Sequence, residues 1–120
     1  PNVVLSDLQT DKADAPYQWR PPAFATAPPL LHANALHCCP LFRRALWDAA
    51  HGYDPAFYFG WEDWDFWIRA NHTAGLAVHN VRDFLYVYND SAMHLFCTRV
   101  FRACHTLLLL AHGNLADVAA

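Results

Sequence analysis

The stretch Gly60-Trp61-Glu62-Asp63-Trp64-Asp65-Phe66-Trp67 sets the densest run of acids in the chain among its densest run of aromatics. The spacing predicts a helix from about Trp61 to Ala74, with Gly75 as its stop. At about 100° per residue, Trp61, Trp64, Trp67 and Ile68 share one face, and Glu62, Asp65, Arg69 and His72 share the opposite one. Asp65 precedes Arg69 by one turn, the favourable order for a helical ion pair worth roughly 0.2–0.5 kcal/mol. Asp63 falls off that polar face, beside Phe66 and Trp67, so it is the acid least easily explained as a solvated charge.

Three roles are open to these acids. All three suit a helix start, where unpaired N–H groups and the helix dipole favour negative charge. Asp63 also suits a general base, because a carboxylate held ionised at a helix N-terminus can take a proton from a hydroxyl nucleophile. Asp63-Trp64-Asp65 is formally an Asp-x-Asp metal motif, but neighbours two apart on a helix point about 200° away from each other and chelate one ion poorly.

Upstream, Pro40 at a first helical position and Leu41, Phe42, Ala45, Leu46 and Ala49 at helical spacing predict an amphipathic helix over 40–51, stopped by Gly52. Tyr53-Asp54-Pro55 reads as a turn. Residues 3–8 read as a strand running into a polar turn at 9–14, and Pro16 to Pro29 as an ordered loop pinned by Tyr17, Trp19 and Phe24. Downstream, 76–81 and 84–88 read as two strands. Asp90 or Ser91 caps a last helix with the stripe Met93, Phe96, Cys97, Val100, Phe101, Cys104, Leu107, Leu108 and Ala111, and Gly113 is its expected C-cap. The chain thus divides into a strand and Pro/aromatic loop (1–39), two helices carrying the acids (40–75), and strands plus a C-terminal helix (76–120). That is α/β, with too few strands to build a covered sheet alone.

The 120 residues are 55% hydrophobic and only 16% charged, so apolar surface is expected to pack against something else. The formal charge is −3 and the Arg residues never form a run, which argues against nucleic acid as a partner. Leu107 to Ala111 is far short of the ~20 apolar residues that span a bilayer. With no signal segment either, the compartment is undetermined. Cys38, Cys39, Cys97 and Cys104 fit no disulfide framework. His32, His37, Cys38 and Cys39 match no tetrahedral zinc spacing, and buried thiols beside surface histidines are the expected arrangement.

From Leu41-Phe42-Arg43-Arg44, through His51-Gly52-Tyr53-Asp54-Pro55-Ala56-Phe57, to Gly60-Trp61-Glu62-Asp63-Trp64-Asp65-Phe66-Trp67-Ile68-Arg69, the chain resembles the acceptor-side region of family 2 glycosyltransferases. Leu85-Tyr86-Val87-Tyr88-Asn89 and Ser91-Ala92-Met93 resemble that family's next strand and loop, with Asn89 where Arg is frequent. Val4-Leu5-Ser6-Asp7 resembles the strand after its metal site. The resemblance implies the C-terminal portion of an A-type glycosyltransferase (nucleotide-diphospho-sugar transferase) fold, incomplete without an N-terminal βαβ half.

It implies an inverting transfer from a nucleotide sugar to an acceptor hydroxyl, with Asp63 as base. Glu62 and Asp65 would orient the acceptor or fix Arg69, and Trp61, Arg69, Tyr88 and Asn89 would contact substrate. A divalent cation, Mg or Mn, is expected for a parent enzyme, its main ligands lying outside this chain, so the 120 residues alone are expected to be inactive. The partners implied are a nucleotide-sugar donor, a sugar or glycan acceptor and the other half of the domain. The alternative is a non-catalytic carbohydrate-binding or interaction module derived from the same fold.

Overall fold

The computed structural model describes all residues except 13–15, 24–29, 59, 90–100 and 120, together with the backbone alone at 101–102 and 114–119. Its centre is strand β1 (Val3–Thr10), in which Val3, Leu5 and Asp7 are buried and alternate with half-buried neighbours. One edge of β1 is covered along its whole length by the parallel strand β4 (Val78–Tyr88), from Val3↔Val78 to Thr10↔Tyr88. The other edge carries two short antiparallel strands. Gln18–Trp19 (β2) pairs with Leu8 and Gln9, and Leu41–Phe42 (β3) pairs with Val3 and Val4.

A parallel pair needs a crossover, and the helices supply it. Arg44–Ala50 (α1) and Glu62–Ala74 (α2) lie between β3 and β4 in sequence, separated by a single 3₁₀ turn at Pro55–Phe57. Asp54 caps that turn by accepting the Ala56 N–H at 2.9 Å, as a Tyr-Asp-Pro turn should. A final helix, Phe101–Ala119 (α3), packs Leu108 into the core beside Val3, Leu5, Leu46, Phe57, Phe66 and Trp67. Phe66 is the hub. Its ring centroid lies 5.4 Å from Phe42, 5.5 Å from Trp47, 5.6 Å from Tyr53 and 4.8 Å from Trp67. The chain is therefore α/β, with a small mixed sheet and three α-helices among the described residues.

Several expectations need correction. The helix over 40–51 begins only at Arg44, because Leu41–Phe42 is drawn into the sheet. Phe42 then reaches Phe66 and Trp67, whereas Leu41 is 76% exposed. The two strands over 76–88 are one. The extra length of β4 over β1 is absorbed by register shifts around Asp7, which act as bulges. These place Arg82 Nη1 3.6 Å from the fully buried Asp7 carboxylate, with Arg20 Nε 3.5 Å away. Gly113 does not end the last helix, which continues to Ala119. The caps at Asp90 or Ser91 and the stripe from Met93 to Val100 lie outside the described residues. No helix among the described residues is long and apolar enough to cross a membrane.

The stops at Gly52 and Gly75 hold. His51 and Gly52 close α1 in the left-handed region at φ 60° and 70°. The Trp47 ring lies over Gly52, so that an added Cβ would meet Trp47 Cζ2 at 2.7 Å. Gly52→Ala is expected to cost about 2 kcal/mol from backbone strain and overpacking, read as a lower urea midpoint with an unchanged slope.

Candidate functional site

The acids of the central stretch separate once α2 is seen in place. Trp61 precedes the helix in a left-handed conformation, φ 65°, which for a bulky residue costs on the order of 1–2 kcal/mol. The turn holds because the Trp61 carbonyl accepts the Asp65 N–H at 3.0 Å and its ring packs on Trp64 at 4.9 Å and edge-on to His105 at 6.1 Å. Trp64 in turn donates its indole N–H to the Leu30 carbonyl at 2.6 Å. Trp61 and Trp64 are half-buried, at the rim of the core.

Asp65 does not lie on a solvated face. It is 1% exposed, because α3 closes over that side of α2. His112 donates from Nε2 to Asp65 Oδ1 at 2.6 Å, and Arg69 donates from Nε and Nη2 to Oδ2 at 2.9 and 2.6 Å. The third Arg69 nitrogen, Nη1, donates to the Ala50 carbonyl at the end of α1. Burial pushes the Asp65 carboxyl up, but the His112 and Arg69 contacts outweigh it and hold it below the ordinary range. All three guanidinium nitrogens of Arg69 are thus used within the protein, joining α2 to the end of α1, while His112 ties α3 to the same carboxylate.

Asp63 faces elsewhere. Its Oδ2 accepts from Asn34 Nδ2 at 3.2 Å. Burial raises its carboxyl above the usual range, and neighbouring Glu62 adds to this. The backbone N–H groups of the first turn and the Asn34 amide oppose it. A carboxylate that is desolvated, raised and still hydrogen-bonded is a stronger base than an ordinary aspartate. Glu62 is half-buried beside it. The two carboxylates of Asp63-x-Asp65 serve different partners, Asn34 and His112 with Arg69. Among the described residues, no group of three or more His, Cys, Asp or Glu is placed to hold a metal ion.

A cleft of about 530 Å³ opens at the carboxyl ends of β1 and β4, where parallel sheets commonly place their ligands. It is lined by Leu8, Thr10, Tyr17, Trp19, Leu36 and Tyr88, with Asn34 and His37. Asn34 therefore touches the cleft and Asp63 at once. Of the expected substrate contacts, Tyr88 lines the cleft, and exposed Asn89 follows it just past β4. Trp61, Arg69, Glu62, Asp63 and Asp65 are not among the lining residues. No family model, curated protein or solved structure matches the chain.

The His and Cys expectation holds for His32, which is exposed, and fails for the other three. His37 is 6% exposed, whereas Cys38 and Cys39 are exposed. The Cys39 N–H donates to His37 Nδ1 at 3.0 Å, which leaves Nε2–H to donate to the Ser6 carbonyl at 3.0 Å. Both ring nitrogens are used, so the neutral ring offers only its faces, to Trp19 and Tyr86. Burial holds His37 below 6.5, outweighing the bond to Ser6. The stability carried by neutral His37 is present above the unfolded value and is lost as pH falls toward the folded one. The melting temperature should therefore drop between about pH 7 and pH 5, and His37→Gln should flatten that slope. Cys38 Sγ lies 3.1 Å from the Tyr86 hydroxyl, and Cys104 is buried; Cys97 lies outside the described residues.

Sequence reasoning missed Asn34 and Leu36, which carry no periodic or motif signal. Tyr17 and Trp19 stood out chiefly as loop anchors, Asp65 as a polar-face acid paired with Arg69 but not as a buried one, and His112 not at all.

Proposed function

We propose that this chain is the acceptor side of an inverting glycosyltransferase. In this reading Asp63 deprotonates an acceptor hydroxyl, the resulting alkoxide attacks the anomeric carbon of a nucleotide-activated sugar, and the nucleoside diphosphate departs. The fold would be the C-terminal part of an A-type glycosyltransferase, with β1 and β4 as adjacent parallel strands. A divalent cation and its Asp-x-Asp would belong to a nucleotide-binding half outside these residues. The observation that carries the reading is the position of Asp63, at the start of α2, raised by burial and joined through Asn34 to an aromatic-lined cleft.

One observation favours a second reading. Asp63 is not itself among the residues lining the cleft, so the same cleft would serve a carbohydrate-binding module without chemistry. The test is a transfer assay on the full reading frame that encodes these residues, supplied with nucleotide sugars, Mg or Mn, and a panel of glycan acceptors. Mass spectrometry should find an acceptor lengthened by one sugar, and NMR of the product should show inverted anomeric configuration. Absence of any product across the panel, with saccharide binding retained, would establish the module instead.

A further inference from the structure

Among the described residues, the lining of the cleft contains no Asp, Glu, Lys or Arg. The imidazole in that lining, His37, has both nitrogens bound to backbone groups. A diphosphate needs cations or a row of free N–H groups, and none of the lining side chains is cationic. Flat aromatic surfaces are plentiful instead. Trp19 stands edge-on to His37 at 6.3 Å, Tyr17 is 63% exposed, and Tyr88 adds a third ring to the lining. Between these rings lie hydrogen-bonding groups. Thr10 Oγ1 accepts the Tyr17 N–H at 2.9 Å and keeps its own O–H to donate, and the Asn34 amide stands at the wall nearest Asp63. Apolar faces alternating with a few neutral polar groups match a ring with C–H faces and an equatorial rim of hydroxyls.

We propose that this cleft binds a neutral pyranose ring, and that it is the place of the acceptor rather than of the nucleotide sugar. The assignment to the acceptor rests on the transfer reading; the binding itself does not. Asn34 sets the direction, because a ring stacked between Trp19 and Tyr88 presents its rim toward the amide that holds Asp63.

The test is a titration of the ¹⁵N-labelled chain with maltotriose, cellotriose, diacetylchitobiose and methyl pyranosides, against glucuronic acid and uridine diphosphate. Amide and indole resonances provide the readout. At least one neutral saccharide should move the Trp19 indole and the Asn34 side-chain amide saturably. Trp19→Ala and Tyr17→Ala should each weaken binding at least tenfold. Tyr17→Ala changes a largely exposed ring, so its loss of binding reads on the ligand and not on folding. No movement with any neutral saccharide at millimolar concentration, or tighter movement of the same signals by uridine diphosphate, overturns the proposal. Saccharide binding without transfer in the full reading frame upholds the cleft and sinks the enzyme reading. Transfer without binding here overturns the cleft assignment and places the acceptor elsewhere.

Discussion

Asp65→Ala is expected to destabilise the fold by about 3–5 kcal/mol, the usual cost of removing one partner from a buried charge cluster. The substitution leaves the Arg69 guanidinium and the His112 N–H facing a space built around a carboxylate, inside a core where Asp65 is 1% exposed. Domains of this size hold about 5–15 kcal/mol in all, so the variant should lose a large share of its stability, read as a lower urea midpoint. The loss should be concentrated at α3, whose His112 reaches Asp65 across the core. Hydrogen exchange should show α3 amides opening ahead of those in β1.

The same cluster sets acid sensitivity. The Asp65 carboxyl is held low in the folded chain, so its contribution is complete above the unfolded carboxylate value and is lost as pH falls through the lower folded value. Urea midpoints followed into acid should show this component in the wild type and lack it in Asp65→Asn.

Asp63→Asn should do the opposite to stability and far more to activity. In the transfer assay, loss of the base should lower kcat/KM by about 10²–10⁴-fold. Burial raises the Asp63 carboxyl, so the folded chain binds that proton more tightly than the unfolded one. Stability therefore declines as pH rises from the unfolded value to the folded one, and the ionised group is a burden above both. An amide in its place removes that burden while keeping the shape, so the variant should melt higher than wild type at pH 7 and equal to it in strong acid. A protein made more stable and less active by one isosteric change separates a base from a structural acid. Retained turnover would refute the assignment. In the wild type, kcat/KM should rise with pH along a limb displaced upward from that of an ordinary aspartate.

Much of the frame was legible in the sequence. The Val-Val-Leu start running into a polar segment marked β1, Gly75 marked the end of α2, and Asp54 marked its turn, each through local backbone chemistry that needs no partner. The readings that failed depended on a third element. A helical wheel separated Asp65 from the tryptophan stripe correctly in angle, yet nothing local told that His112, 47 residues away, would cover that side. Leu41 and Phe42 kept helical spacing, but pairing with Val3 and Val4 took their backbone into the sheet. His37 read as a surface residue because its two hydrogen-bond partners are backbone groups, which have no signature in composition. Asn34 is the clearest case: a single amide in an irregular segment joins cleft to carboxylate, and only the fold brings them together.

The parallel pairing of β1 with β4 has a bearing on how the chain comes to be folded. Asn2 and Ala77, which exchange hydrogen bonds at the start of that ladder, are separated by 75 residues. Among the described strands, β1 is therefore made well before the partner that covers its full edge. Of the strands described, only the short β2 and β3 are available to Val3, Val4 and Leu5 during synthesis until Val78 and its neighbours leave the ribosome, and loop closure over that span is slow relative to helix formation. The helices should form and collapse around Phe66 while the strand waits. A chaperone that shields an extended Val-Val-Leu segment would act in that interval, and folding yield, more than final stability, would register its absence.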